Sequence, residues 1–148
     1  MNEQELEARL ALNRIPGIGA DLFSRLIDKF GSAAAVFHAG RGQLQDIPGV
    51  GADKLERLLS GASSTGVEQD IEWLLSCADH GILFSDGESY PALLAQTASP
   101  PPVLFLKGRT ELLSAPQLAI VGSRNPTPAG LDNARAFARH LSDRKSVV

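Results

Sequence analysis

A seven-residue motif occurs twice near the start of this chain and constrains its fold more than any other feature. Residues 15–21 read IPGIGAD, and residues 47–53 read IPGVGAD, 32 positions later. Each copy is followed by apolar residues at helical spacing, which predicts an amphipathic helix after each turn. The first 61 residues are therefore predicted to form a small all-α domain built from an internal repeat.

The repeated unit resembles the helix-hairpin-helix, in which a Gly-hydrophobic-Gly hairpin presents backbone N–H groups to a nucleic-acid phosphate. Glycine suits this task because it adopts left-handed backbone angles and lets a phosphate oxygen approach without meeting a Cβ. Asp21 and Asp53 directly follow the hairpins and would repel a phosphate, so a scaffold or protein-interaction role is favoured over contact with DNA or RNA. The possible hairpin phosphate contacts are Gly17, Gly19, Gly49, Gly51 and Lys54.

A second motif, in the last third of the chain, predicts a strand, a short loop and a helix. Residues 118–121 are apolar, residues 122–124 read GSR, and Thr127 can cap a helix that begins at Pro128. The free N–H groups of a helix N-terminus attract an anion, and an arginine adds a planar fork of donors. The alternative is an ordinary strand-to-helix turn, since GSR lacks the full glycine pattern of known phosphate loops. The predicted phosphate-binding residues are Gly122, Ser123, Arg124 and Thr127.

Basic side chains are concentrated around this loop. Residues 1–60 carry 7 basic and 8 acidic side chains, residues 61–104 carry 6 acidic and no basic ones, and residues 105–148 carry 7 basic and 3 acidic ones. The net charge of −3 excludes a protein coated in basic charge. Any anion binding should therefore be local to the C-terminal third.

Residues 61–66 have linker composition and predict a domain boundary. An α/β domain is predicted over residues 62–148, after the all-α domain over residues 1–61. Its almost wholly apolar segments are typical of strands covered on both faces. The predicted strands are 82–84, 103–106 and 118–121, with a further one beginning at 146.

No catalytic residue, metal site or cofactor is predicted. The single cysteine, Cys77, lies in a helical pattern without a second cysteine or a paired histidine, so a buried structural thiol is expected. No nucleophile and base are placed for catalysis. The chain has no apolar run long enough for a membrane span and an acidic N-terminus unlike a secretory signal, so a cytoplasmic protein is expected.

The order of the motifs resembles the DNA-processing protein A family, called DprA or Smf. The hairpin pair is followed by YPALL at 90–94, PPVLFLKG at 101–108 and AIVGSR at 119–124, with Thr127 and Gly130 behind them. The resemblance covers essentially the whole chain. It implies that residues 62–148 are the opening part of a Rossmann-like domain.

The resemblance also implies a function. Family members are cytoplasmic, have no known catalytic step, bind incoming single-stranded DNA during natural transformation, protect it and help load the RecA recombinase. In the family the GSR block contributes to a basic phosphate pocket, which corresponds here to Gly122, Ser123 and Arg124, with Thr127 by position. Family members form homodimers through the Rossmann-like domain and continue beyond this point. The chain is therefore expected to be an N-terminal fragment that lacks the dimer surface and part of the pocket.

Two other functions stay open. Rossmann-like enzymes of the phosphoribohydrolase type also place a Gly-Ser turn after an early strand to hold a nucleotide phosphate, although the hairpin pair and the YPALL block disfavour them. A pure interaction module would use the hairpins to dock a partner and leave the GSR loop inert.

Overall fold

The computed structural model describes residues 1–61 and 64–143, and the chain forms two compact units. The first unit is Met1–Ser114 and the second is Ala115–Val148. The domain boundary predicted at 61/62 thus falls inside the first unit. Residues 62 and 63 of the predicted linker, and the strand predicted to begin at 146, lie outside the described residues.

The secondary structure is mixed, and the predicted α/β class with a helical N-terminal part is confirmed. The first unit contains two strands and several helices, and the second contains one long helix. The elements are α1 (Glu3–Arg14), α2 (Ala20–Phe30), α3 (Ala33–His38), α4 (Arg41–Gln45), α5 (Ala52–Ser60), α6 (Ser64–Leu75), β1 (His80–Phe84), α7 (Ala92–Ala95), β2 (Val103–Lys107), a 3-10 helix (Thr110–Ser114) and α8 (Pro128–Asp143).

Each copy of the repeated motif forms a tight turn that leads into a helix. In each copy the hydrophobic residue after the first glycine donates its N–H to the isoleucine three positions earlier, at 3.1 Å in the first copy and 3.0 Å in the second. Gly17 and Gly49 have φ angles of 89° and 96°, as the third position of a type II turn requires after proline. The turns therefore form for a local reason, and α2 and α5 begin directly after them.

Helix α1 contributes to two separate hydrophobic cores. Leu12 is fully buried in a core formed with the helices of the hairpin pair. Leu10, also fully buried, instead packs in a second core with Val67, Phe84 and Val103. Since one helix is shared, the hairpin region and the β1–β2 region form one packed unit.

A charged network also ties α1 to both regions. Arg9 is buried and donates to both carboxylate oxygens of Asp86, at 2.6 and 2.7 Å, and to Glu5 at 2.8 Å. The carboxylate of Glu5 also accepts the N–H groups of Ala33 and Ala34 at 2.9 and 3.0 Å, at the start of α3. The network therefore runs from α3 through α1 to the turn after β1.

The strands predicted at 82–84 and 103–106 are confirmed as β1 and β2. They pair antiparallel, with His80 opposite Lys107 and Phe84 opposite Val103. The expectation that both faces are covered is wrong for β2, in which burial alternates and Phe105 is 44% exposed. The Rossmann-like character of residues 62–148 stays a prediction.

The strand predicted at 118–121 is wrong. These residues have no regular secondary structure, and Leu118, Ile120 and Val121 are 71%, 47% and 89% exposed. A strand needs a hydrogen-bonded neighbour, and in the part of the chain that the structure describes, β1 and β2 pair only with each other. Apolar composition alone does not supply that neighbour.

Candidate nucleic-acid interface

The GSR loop leads into α8 as the sequence predicted. Pro128 is the first residue of α8, and the Thr127 hydroxyl accepts the N–H of Gly130 at 3.1 Å. The Thr127 carbonyl accepts the N–H of Leu131 at 3.0 Å, which is the first intrahelical bond. Thr127 is therefore the N-cap, and its hydroxyl keeps one O–H with which it could donate to an anion.

Few backbone donors are left at this helix start. Pro128 has no N–H, and the Thr127 hydroxyl accepts the N–H of Gly130. The N–H of Ala129 is therefore the donor of the first turn that the cap does not satisfy. The Ser123 hydroxyl accepts the N–H of Asn125 and donates to its carbonyl, each at 3.2 Å. Side chains must therefore supply most of the attraction for a phosphate.

Arg124 is the side chain best placed to do so. It is exposed and makes no hydrogen bond or ion pair with residues 1–61 or 64–143. Gly122 has open space where a Cβ would lie, so an anion can approach the backbone there. The structure thus brings Gly122, Ser123, Arg124 and Thr127 together in one exposed segment.

Two cations of the hairpin pair, Lys54 and Arg25, each contact the other copy of the motif. The Lys54 ammonium donates to the Gly49 carbonyl at 2.8 Å, and its stem lies against Gly17 of the other copy. Arg25 of the first copy donates to the Pro48 carbonyl of the second at 2.9 Å. These contacts favour a packing role for Lys54 and Arg25.

The second glycine of each hairpin has a different environment. Gly19 and Gly51 are the N-cap residues of α2 and α5, with φ of −84° and −83° and no side-chain cap. Nothing lies within 4 Å of the position that a Cβ would occupy on either residue. The fold therefore does not require glycine there, and the N–H groups of both helix starts are open to an anion.

The YPALL block is structural in the first unit. Tyr90 is 7% exposed, and its hydroxyl donates to the Pro101 carbonyl at 2.8 Å, which joins this block to PPVLFLKG. Burial raises the pKa of the Tyr90 phenol. Leu93 of the same block is 82% exposed.

The expectation of a buried Cys77 is wrong. Helix α6 ends at Leu75, earlier than the apolar pattern indicates, and Cys77 is exposed in the turn that follows. It lies beside Asp79 and His80, and one donor atom from each of the three side chains lies within 4.8 Å of the others. The spacing Cys-x-Asp-His at a helix end is the signal that sequence reasoning missed.

Among the helices of the described residues, none has the length and apolarity needed to cross a membrane.

Comparison with known proteins supports the order of motifs along the chain. The family model described as DNA recombination-mediator protein A matches residues 81–148, and that of the SAM-like helix-hairpin-helix tandem matches residues 9–64. Protein Smf of Escherichia coli (strain K12) is 33% identical over 82 residues, which are 55% of this chain and 22% of that protein. The hairpin-tandem match followed by the recombination-mediator match gives this chain the motif order of the DNA-processing protein A (DprA/Smf) family, to which it is similar.

Proposed function

We propose that this chain binds single-stranded DNA through the exposed loop 122–127, as part of a non-enzymatic cytoplasmic protein of natural transformation. The observation that carries the proposal is the exposed Arg124, without a partner among the described residues, beside the capped start of α8. A guanidinium fork can bind a phosphate in bidentate fashion. The family's description as a recombination mediator supports DNA as the ligand.

The charge distribution supports the same end of the chain. Residues 105–148 carry 7 basic and 3 acidic side chains, whereas residues 61–104 carry 6 acidic and no basic ones. A polyanion is therefore attracted to the region of the loop and repelled by the stretch before it. This contrast also explains how a chain with a net charge of −3 can bind DNA locally.

The proposal is tested by measuring the binding of a labelled single-stranded oligonucleotide to the full chain over a range of salt concentrations. Arg124→Ala should weaken binding to every sequence and lower the slope of log K against log salt by about 0.7, the loss of one contact on a single strand. Arg124→Lys should also weaken binding, since an ammonium cannot form the bidentate fork.

Arg139→Ala is the matched control, because Arg139 is also an exposed arginine and lies roughly 16 Å along α8 from the start of that helix at Pro128. It should change affinity and slope less than Arg124→Ala. Equal effects of the two variants would contradict a local site. Tighter binding of a mononucleotide than of the oligonucleotide would instead favour an enzyme of the phosphoribohydrolase type.

We extend the proposal to protection of incoming DNA and to loading of RecA recombinase, the roles of a recombination mediator in transformation. The homodimer of the family is proposed as well, and the match to Smf covers 22% of the length of that protein. RecA filament growth on single strands coated with single-strand-binding protein, with and without the chain, tests the loading role. Sedimentation velocity tests the oligomeric state.

The hairpin pair has a second candidate function as a scaffold or protein-interaction module. The specific observation in its favour is that Lys54 and Arg25 both bind hairpin carbonyls. On this proposal the hairpin pair binds a protein partner, and the GSR loop binds DNA.

A further inference from the structure

We propose that Cys77, Asp79 and His80 form a binding site for a zinc ion in the turn between α6 and β1. A thiolate, a carboxylate and an imidazole are the three ligand types that Zn²⁺ takes from proteins. One donor atom of each lies within 4.8 Å of the other two. Three protein ligands would leave the fourth tetrahedral position to water.

The backbone of the turn already places the ligands together. The N–H of His80 donates to the Cys77 carbonyl at 3.1 Å, which closes the turn, and the N–H of Gly108 donates to the Asp79 carbonyl at 2.7 Å. Bond lengths to zinc of about 2.0–2.3 Å put tetrahedral ligand atoms roughly 3.5 Å apart. Rotation of exposed side chains over about an ångström is thus enough to close the site.

The His80 ring is held in place by Trp73, and a hydrogen bond of one ring nitrogen orients the other, as in metal-binding histidines. It stacks on Trp73 with ring centroids 4.1 Å apart and 9° between the planes. Its Nδ1 lies 2.7 Å from the Trp73 carbonyl, a contact in which Nδ1 carries the proton. The other ring nitrogen then has its lone pair, which is the form that binds a metal.

An unsatisfied atom points to a missing ligand. Nε2 of His80 is buried and has no hydrogen-bond partner among the described residues. Buried polar atoms without a partner are rare because each costs the free energy of its lost hydration. Coordination of zinc by His80 would give the imidazole the partner that the protein does not supply.

The charge balance of the turn suits a divalent cation. A Cys77 thiolate and an Asp79 carboxylate would together carry two negative charges, which a Zn²⁺ ion balances. Residues 61–104 contain no lysine or arginine that could compete. Lys107, opposite His80 on β2, is the nearby cation, and it is exposed. Zinc would fasten the end of α6 to the start of β1 and stabilise the first unit.

The test uses the single cysteine as its own reporter. Zn²⁺ added to the reduced full chain should slow alkylation of Cys77 by more than about tenfold, and a chelator should restore the rate. Co²⁺ should give thiolate-to-cobalt charge-transfer absorption. The thermal unfolding midpoint should rise with zinc concentration, because a ligand that binds only the folded chain stabilises it.

Variants separate a built site from a reactive thiol. Asp79→Asn and His80→Gln should each weaken zinc binding by more than about tenfold, since even loss of an outer-shell partner costs about 10- to 100-fold. Asp79 is exposed, so its variant should keep the circular dichroism of the parent. Glu72→Gln and His38→Gln, at exposed positions outside the turn, are the controls and should bind as the parent does.

Two results would overturn the proposal. One is unchanged Cys77 reactivity and an unchanged unfolding midpoint with zinc in the folded chain. The other is protection of Cys77 that persists unaltered in both Asp79→Asn and His80→Gln, which would show a lone thiol taking up metal without a site.

Discussion

Lys54 of the second hairpin lies across Gly17 of the first, with its Cε 3.0 Å from the position that a Cβ on residue 17 would occupy. The reverse contact also exists, since Cδ1 of Leu22 lies 3.8 Å from the corresponding position on Gly49. Residues 22 and 54 are separated by 32 positions, as are the two glycines. The two copies therefore pack with approximate twofold symmetry, and Lys54, one of the possible phosphate contacts, helps to join them.

The first glycine of each hairpin should be required for folding. Gly17→Ala and Gly49→Ala should each lower the free energy of unfolding by about 1–3 kcal/mol, because both φ angles lie in the left-handed region. Urea denaturation measures the change. Removal of the Lys54 side chain should not rescue Gly17→Ala, since the backbone angle and not the contact supplies most of the cost.

Gly42→Ala is the control for these variants. Gly42 lies in α4 with nothing within 4 Å of its Cβ position, so alanine should leave stability unchanged or raise it by up to about 1 kcal/mol. Stability losses of equal size at positions 17 and 42 would contradict the argument from φ.

The second glycine of each hairpin separates folding from DNA contact. Serine is a favoured N-cap residue, so Gly19→Ser and Gly51→Ser should keep or slightly raise the stability of α2 and α5. If the hairpins bind phosphate, the added side chain should obstruct it and weaken binding of a duplex or single strand. If they act as a scaffold, as we favour, affinity should stay that of the parent.

The measurement is oligonucleotide affinity of the full chain, beside its unfolding curve. A clear loss of affinity in both serine variants, with stability intact, would reverse our preference and assign phosphate contact to the hairpins. A loss in stability would instead show that the open space around Gly19 and Gly51 is needed by the fold.

Acid should weaken the network around Arg9. Burial alone would raise the pKa of Glu5, but the N–H groups of Ala34 and Ala33 and the Arg9 guanidinium outweigh it, so its pKa is lowered. The hydrogen bond from Arg9 likewise lowers the pKa of Asp86. Both carboxyls thus bind protons less readily in the folded chain, and their stabilisation is present above the ordinary carboxyl pKa and lost as the pH falls through the lowered values.

Glu5→Gln should reveal this linkage. The amide can still accept an N–H but loses the charge pair with Arg9, so the free energy of unfolding at neutral pH should fall by about 1–2 kcal/mol. As the pH falls below the ordinary carboxyl pKa range, the free energy of unfolding of this variant should decrease less steeply than that of the parent. Glu7→Gln, at an exposed neighbouring position, should leave the pH profile unchanged, and a parallel shift in both variants would argue against the network.

The two cores that share α1 should respond to different substitutions. Leu10→Ala and Leu12→Ala should each cost about 2–5 kcal/mol, because both side chains are fully buried. Hydrogen exchange should rise first in β1 and β2 for Leu10→Ala and first in α2 and α5 for Leu12→Ala. Exchange that stayed slow in β1 and β2 in the first variant would show that the hairpin region folds without them.

Much of the candidate DNA site could be predicted from sequence because it depends on neighbours in the chain. The cap by Thr127, the helix start at Pro128 and the turns at Gly17 and Gly49 each follow from one residue's backbone preference. The contact of the Lys54 stem with Gly17 could not be predicted, because it requires the second copy to lie against the first.

The sequence by itself determined the local elements: the repeated turns, the helices that follow them, and the strands at β1 and β2. Tertiary structure alone decided what the elements pack against. It placed Leu10 and Leu12 of one helix in different cores, exposed Cys77 beside His80, and left residues 118–121 without a strand partner. The physical reason is that turn and cap preferences are short-range, whereas burial and strand pairing depend on residues far apart in the chain, which an apolar pattern does not specify.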